Sequence, residues 1–180
     1  MPTDLELVSP LATHRAARKP APRAGTLSGH IVLSDSMLNI NAGWGELIID
    51  SIVRELPQAG IEIERINRPQ IGDHRPQEWV DRLVEQGVSA LIVTAGDCAT
   101  CTSRALRECI LAEDAGIPAT AIVPAGLQEI IEATLDAWGR PDLQVALFDT
   151  PLFALKKNDF PGVMTSSAQH AISILTQSST

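Results

Sequence analysis

Residues 88–103 read VSALIVTAGDCATCTS, and this stretch of the 180-residue chain determines the predicted fold class. Its first eight residues are an apolar run of the kind that forms a parallel strand buried on both faces of a sheet. A helical pattern then reaches Ala115, Gly116 ends it, and residues 117–123 form the next apolar run. Strand, helix and strand in this order predict a βαβ unit with a right-handed crossover.

The same alternation extends over the rest of the chain in both directions. Strands are predicted at 28–34, 61–66, 88–95, 117–123 and 143–148, and further helices at 44–56, 77–86, 127–138 and 165–176. This pattern predicts an α/β fold: a three-layer open parallel sheet of about five strands with helices on both faces, flavodoxin-like or Rossmann-like. We expect the strand order 2-1-3-4-5.

The first 25 residues differ in charge from the rest of the chain. They carry four basic residues against two acidic ones, and Pro20 and Pro22 interrupt any helix. We therefore predict a flexible basic N-terminal arm over residues 1–25, which either contacts a partner or is a disordered tail. Residues 26–180 are predicted to be a single α/β domain.

The composition excludes several classes of protein. A net charge of −8 and a pI near 4.9 argue against nucleic acid as a partner. No apolar run approaches the roughly 18 residues that a membrane span needs, so no membrane partner is expected. Three cysteines are too few for a disulfide framework, which favours a reduced, cytoplasmic setting. Glycine spacings typical of nucleotide-binding loops are missing, and we predict no cofactor.

Cys98 and Cys101 form a C-x-x-C at a predicted strand end and helix start. Ligands of open parallel sheets bind beyond the carboxyl ends of the strands. Unpaired N–H groups and the positive end of the helix dipole favour a thiolate there. The spacing lets Cys98 attack a substrate and Cys101 resolve the adduct as a disulfide. Asp97 is the candidate general acid or base, or else a turn residue.

Two other interpretations of the cysteine pair stay open. The pair could be half of a metal site, with ligands from His30, His74 or His170, or it could be two buried structural cysteines. We prefer the prediction that the chain holds no metal site. Cys109 lies on the order of 16 Å from Cys98 along a helix and is predicted to be a core residue.

Hydroxyl, amide and carboxylate side chains near three strand ends are candidates for substrate binding. They are Thr102, Ser103, Asp35, Asn39, Asn41 and Thr150. The first two begin the helix after the C-x-x-C, where their hydroxyls either bind a substrate oxyanion or carboxylate or cap the helix. The other four follow predicted strands one and five, where turn formation is the alternative role.

Three stretches carry a resemblance to a known family. They are GDCATCTSRALRECILAEDAGIPATAI (96–122), LSGHIVLSDSMLNINAG (27–43) and GRPDLQVALFDTPL (139–152). Together they resemble the UGSC family of selenoproteins and their cysteine homologues. More distantly, they are similar to the selenocysteine subunits of glycine and proline reductases. The chain departs from the family pattern at Ala99-Thr100, where Gly-Ser is usual, and at Met37-Leu38, where a Lys-Pro-like pair is expected.

The resemblance implies that Cys98 takes the position of the selenocysteine and Cys101 that of the resolving cysteine. It implies thiol-dependent redox chemistry without naming a substrate. We therefore predict a small-molecule enzyme that performs a thiol-dependent reduction and is reset by an external thiol reductant, either a small dithiol or a protein.

Other classes of function remain as alternatives. A cysteine-dependent lyase or a racemase-like isomerase would need no disulfide cycle. A non-catalytic subunit of a multi-component complex would show no turnover alone, and a small zinc-binding module would hold metal. We expect a homo-oligomer, with a heteromer as the other possibility.

Overall fold

Strands and helices alternate along the chain in the computed structural model, which describes residues 19–35, 44–56, 60–67, 76–149, 151, 154–156 and 158–177. The strands are β1 (Gly29–Asp35), β2 (Ile61–Asn67), β3 (Val88–Thr94), β4 (Ala119–Pro124) and β5 (Ala146–Phe148). The helices are α1 (Trp44–Glu55), α2 (Pro76–Glu85), α3 (Ala99–Asp114), α4 (Gln128–Ala137) and α5 (Phe160–Thr176), with a short 3-10 turn (Ala125–Leu127) before α4. The predicted α/β class is confirmed.

In the described part of the chain the strands form one parallel sheet in the order β2-β1-β3-β4-β5. The predicted order is therefore confirmed. The chain leaves β1 toward one edge of the sheet and leaves β3 toward the other edge. The direction of the connections thus reverses between β1 and β3, and open α/β sheets bind ligands at such a reversal.

Both faces of the sheet are covered, which explains the unbroken apolar run in β3. Leu91 and Val93 pack under α2, α3 and α4, whereas Ala90 and Ile92 pack under α1 and α5. Because successive strand residues point to opposite faces, a strand between two helical layers must be apolar at nearly every position.

Three predicted boundaries are wrong. Helix α3 begins at Ala99, inside the C-x-x-C, and not at Thr102, because Cys98 is its N-cap. Helix α5 begins at Phe160, five residues before the predicted start, because Pro161 occupies its first turn, where a missing N–H is harmless. Strand β5 begins at Ala146 rather than at residue 143. The N–H of Leu143 donates to the Arg140 carbonyl at 3.1 Å, so this residue belongs to a turn and not to the ladder.

Buried charges link the chain before β1 to α3. The Glu113 carboxylate is fully buried and accepts from both guanidinium NH groups of Arg23, at 2.7 and 2.9 Å. It also accepts from the N–H groups of Ala21 and Ala119, each at 2.7 Å. Ala21 and Arg23 of the predicted arm are therefore held against the end of α3, and residues 1–18 lie outside the described residues.

A second buried cation joins the ends of α3 and α4. Arg140 is 1% exposed and donates to Asp114 at 2.8 Å and to Asp142 at 3.0 Å. Burial pushes the pKa of Asp142 upward, but the hydrogen bonds and the charge of Arg140 outweigh burial and lower it. No helix within the described ranges is long and apolar enough to cross a membrane.

Candidate active site

The carboxyl ends of β1 and β3 meet where the connections of the sheet reverse direction. Asp35 lies beside Thr94 and Ser34 beside Val93 in this register. Three residues, Ala95 to Asp97, then lead from β3 to Cys98, the N-cap of α3. The topology therefore places Cys98 at the crevice where ligands bind in folds of this kind.

The sulfur of Cys98 caps α3. The residue has extended backbone angles (φ −136°, ψ 113°), and its Sγ accepts a hydrogen bond from the Cys101 N–H at 3.3 Å. Its N–H donates to the Gly96 carbonyl at 2.6 Å, and its carbonyl accepts the Thr102 N–H at 2.9 Å. The sulfur thus lies at the positive end of a 16-residue helix and accepts a hydrogen bond from its first turn.

The two cysteines of the C-x-x-C differ in exposure. Cys98 is partly exposed, whereas Cys101 is 3% exposed and packs among the apolar side chains under the sheet. Both side chains are thiols and not halves of a disulfide. A molecule in the crevice can therefore reach Cys98 more readily than Cys101.

Cys109 is a core residue, as predicted. It is fully buried in the same apolar cluster as Cys101. Burial raises the pKa of its thiol well above the usual value, and the charges of Glu108 and Glu113 raise it further. A thiol that stays protonated and inaccessible takes no part in nucleophilic chemistry.

The two hydroxyl residues after the C-x-x-C point in different directions. The Ser103 hydroxyl contacts the Thr134 hydroxyl of α4 at 3.1 Å, so it lies between the two helices. Thr102 is fully buried, and its hydroxyl has no hydrogen-bond partner among the residues that the structure describes. Of the two, Thr102 is the one with a donor left for a ligand.

Two further buried hydroxyls at the strand ends were missed from the sequence. Those of Ser34 and Thr94 have no partner within the described ranges. A Ser or Thr inside a β-branched strand pattern looks like an ordinary strand residue. Their position in the sequence could have identified them, because both residues fall within the last two positions of strands that end at the crevice.

The other predicted site residues are only partly covered by the structure. Asp35 is 7% exposed at the end of β1, and Asp97 is partly buried in the turn before Cys98. Asn39, Asn41 and Thr150 lie outside the described residues. The structure therefore brings Asp35 and Asp97 to the same end of the sheet as Cys98, where the strands have their carboxyl ends.

Two of the three histidines considered as metal ligands, His30 and His170, lie away from the cysteine pair. His30 lies at the amino end of β1 and contacts Glu64 at 3.0 Å, and His170 is exposed on α5. His74 lies outside the described residues. Among those that are described, no group of three or more His, Cys, Asp and Glu side chains is placed to hold a metal ion.

Comparison with models of protein families gives a match over most of the chain. The family model described as the UGSC family matches residues 6–177. No curated protein matches the sequence. The matched range includes the cysteine pair, both strands that border the crevice and the segment that carries Arg23.

Proposed function

Because this chain belongs to the UGSC family, we propose that it is a small-molecule enzyme with Cys98 as nucleophile and Cys101 as resolving thiol. The reaction is a thiol-dependent reduction. One observation carries the proposal: the Cys98 sulfur caps α3 at the sheet reversal, with a second thiol one turn later. Position, dipole and spacing all suit a thiolate that attacks and is then displaced.

The proposed cycle acts on a substrate with a polarised bond X–Y. The Cys98 thiolate attacks X, an S–X bond forms, and Y leaves with the electron pair of the broken bond and takes up a proton. The Cys101 thiolate then attacks Cys98 Sγ, so that X leaves with the S–X electron pair and is protonated. X–Y is reduced by two electrons, and the thiols are oxidised to a disulfide. An external dithiol reduces the disulfide and completes the cycle.

The different burial of the cysteines supports these separate roles. A racemase-like enzyme needs two groups that both face the substrate. Cys101 instead lies among apolar side chains, which suits a thiol that reacts only after an adduct has formed on its neighbour. Asp97, in the turn that carries Cys98, is proposed as the proton donor to the departing groups.

The remaining assignments of this proposal follow from the chemistry. Thiols supply the electrons, so the proposal includes no metal and no organic cofactor, and the partners are a small-molecule substrate and a reductant protein or small thiol. A dithiol reductant implies a reducing compartment, for which we propose the cytoplasm. We also propose a homo-oligomer, with assembly into a heteromer as the alternative.

The test is to follow the protein with glutathione disulfide as a probe oxidant and intact-mass detection. The wild type is expected to form a Cys98–Cys101 disulfide that dithiothreitol reverses. Cys101→Ser should instead retain one glutathione on Cys98, and Cys98→Ser should retain none. Cys109→Ala removes a thiol from the same helix and should behave like the wild type.

Two outcomes contradict the proposal. In the first, the wild type accumulates the glutathione adduct to the same extent as Cys101→Ser, which means that Cys101 does not resolve it. In the second, Cys98 reacts no faster than a thiol of the unfolded chain near pH 7. Either result would favour the lyase, isomerase or non-catalytic alternatives.

A further inference from the structure

We infer that the site binds its substrate by a carboxylate group, held by the Thr102 hydroxyl and the first N–H groups of α3. The inference rests on the proposed function only in taking Cys98 as the reacting group. The observation that carries it is the Thr102 hydroxyl, which is fully buried and has no hydrogen-bond partner among the described residues.

Thr102 lies four residues after Cys98, the N-cap of α3. The two residues therefore share one face of the helix. Helical side chains also lean toward the helix N-terminus. A threonine in a helix often donates its hydroxyl to the carbonyl four residues back. Here the Cys98 carbonyl accepts the Thr102 N–H, and the hydroxyl makes no such bond.

The first turn of α3 supplies further donors and a positive potential. The N–H groups of Ala99 and Thr100 have no acceptor within the helix, and both residues are exposed. The first turn itself contains no acidic side chain, and the nearest one in sequence is Asp97, just before the N-cap. Two N–H groups and one hydroxyl around a helix N-terminus complement a carboxylate, whose two oxygens accept several hydrogen bonds.

The place of the sulfur narrows the substrate class. Cys98 Sγ contacts the Cys101 N–H in the same turn, so a carboxylate bound here lies next to the sulfur. The atom that Cys98 attacks is then within a few bonds of the carboxylate carbon. The site therefore suits a small carboxylic acid with its reactive bond close to the acid group.

Two alkylating reagents test this directly, because iodoacetate carries the carboxylate that its neutral counterpart iodoacetamide lacks. The rate of each reaction is measured on the full chain and located at Cys98 by peptide fragmentation. The ratio of the iodoacetate rate to the iodoacetamide rate should be roughly tenfold higher in the folded protein than in the unfolded one, since charge-assisted hydrogen bonds hold only the anion.

Substitutions at Thr102 test which group is responsible. Thr102→Val keeps the shape of the side chain without the hydroxyl, and it should lower the rate ratio about fivefold while Tm stays equal or rises. Thr102→Ser should restore the ratio. Ser103→Ala is the matched control, because that hydroxyl contacts Thr134 instead. A ratio equal to that of the unfolded chain, or unchanged in Thr102→Val, would overturn the inference.

A second measurement decides the question even if Cys98 proves unreactive, a result that would count against the proposed function alone. The ¹⁵N-labelled protein is titrated with propionate and with propionamide at constant ionic strength. Saturable shifts of the Ala99 and Thr100 amide signals with propionate only are expected. Equal responses to both compounds, or no response, would show that no carboxylate site exists.

Discussion

At the level of single residues, cysteine is an unfavourable choice at the N-cap of a long helix. Ser, Thr, Asp and Asn are preferred there because their oxygens accept strong hydrogen bonds from the first turn. A thiol sulfur is a weak acceptor, yet Cys98 Sγ is the cap of the 16-residue α3. The chain therefore gives up stability at this position, which is characteristic of residues kept for chemistry.

Substitution of Cys98 is expected to separate capping from reactivity. Cys98→Ser supplies a better acceptor, so the free energy of unfolding should stay equal or rise by a few tenths of a kcal/mol. Cys98→Ala removes the acceptor and should lower it by about 1 kcal/mol. Urea denaturation of the reduced proteins measures both. A greater loss for Cys98→Ser than for Cys98→Ala would mean that the sulfur contributes by packing and not as a cap.

At the level of elements, Arg140 holds α3 to the turn between α4 and β5. Its guanidinium bridges Asp114 at the end of α3 and Asp142 in the turn, and the residue is 1% exposed. Arg140→Met should lower the free energy of unfolding by roughly 2–3 kcal/mol, because two carboxylates lose their partner, although the 41% exposure of Asp142 moderates the loss. Urea denaturation at pH 7 measures this, and a loss below about 0.5 kcal/mol would contradict it.

The ion pairs of Arg140 also predict that the stability of the fold depends on pH. Despite burial, the pKa of Asp142 lies below its usual value because of Arg140, and in the unfolded chain it is about 3.9. As the pH falls, the unfolded state therefore binds this proton at a higher pH than the folded state does. The stabilisation of the fold by Asp142 is complete above about pH 5 and disappears as the pH falls through the folded-state pKa. Arg140→Met should reduce the slope of stability against pH below about pH 4. An unchanged slope would assign the acid sensitivity to other groups.

The elements were more predictable from the sequence than the site. Alternating apolar runs and glycine stops define βαβ units, and the handedness rule leaves few topologies. Boundaries failed where a local exception decided them, as with Pro161 in the first turn of α5 and the Leu143 turn before β5. The position of the cysteine pair at the carboxyl end of a strand could be predicted, because the pair directly follows an apolar run typical of a parallel strand.

The rest of the site depends on packing that no local pattern encodes. Which cysteine of the pair is buried depends on the rotation of α3 about its axis, and Thr102 and Ser103 face different neighbours for the same reason. The Arg23–Glu113 pair joins residues 90 positions apart. Such contacts depend on the assembled layers and not on spacing.

At the level of the whole molecule, the segment before β1 ties several layers together. Arg23 donates to Glu113 on α3 and, at 3.3 Å, to the Ile174 carbonyl on α5. Glu113 also holds the N–H of Ala119 at the start of β4. Helices from opposite faces of the sheet are thus joined at one end by a single buried ion pair.

Glu113→Gln tests this link. The substitution leaves a buried guanidinium without its charge partner, so the free energy of unfolding should fall by roughly 3 kcal/mol. Proteolysis near residues 19–28 should accelerate by more than global unfolding explains. Arg23→Met is the companion variant, and the double variant should lose less than the sum of the two single losses. Strictly additive losses would show that the pair does not act as a unit.

The central position of β3 determines how the molecule opens. Leu91, Ile92 and Val93 are fully buried between two strands and two helical layers, and amides in such a place exchange their hydrogens only when the whole domain opens. Cys98 follows this strand by four residues. The loops at the crevice can therefore fluctuate locally while the strand that precedes Cys98 stays in place.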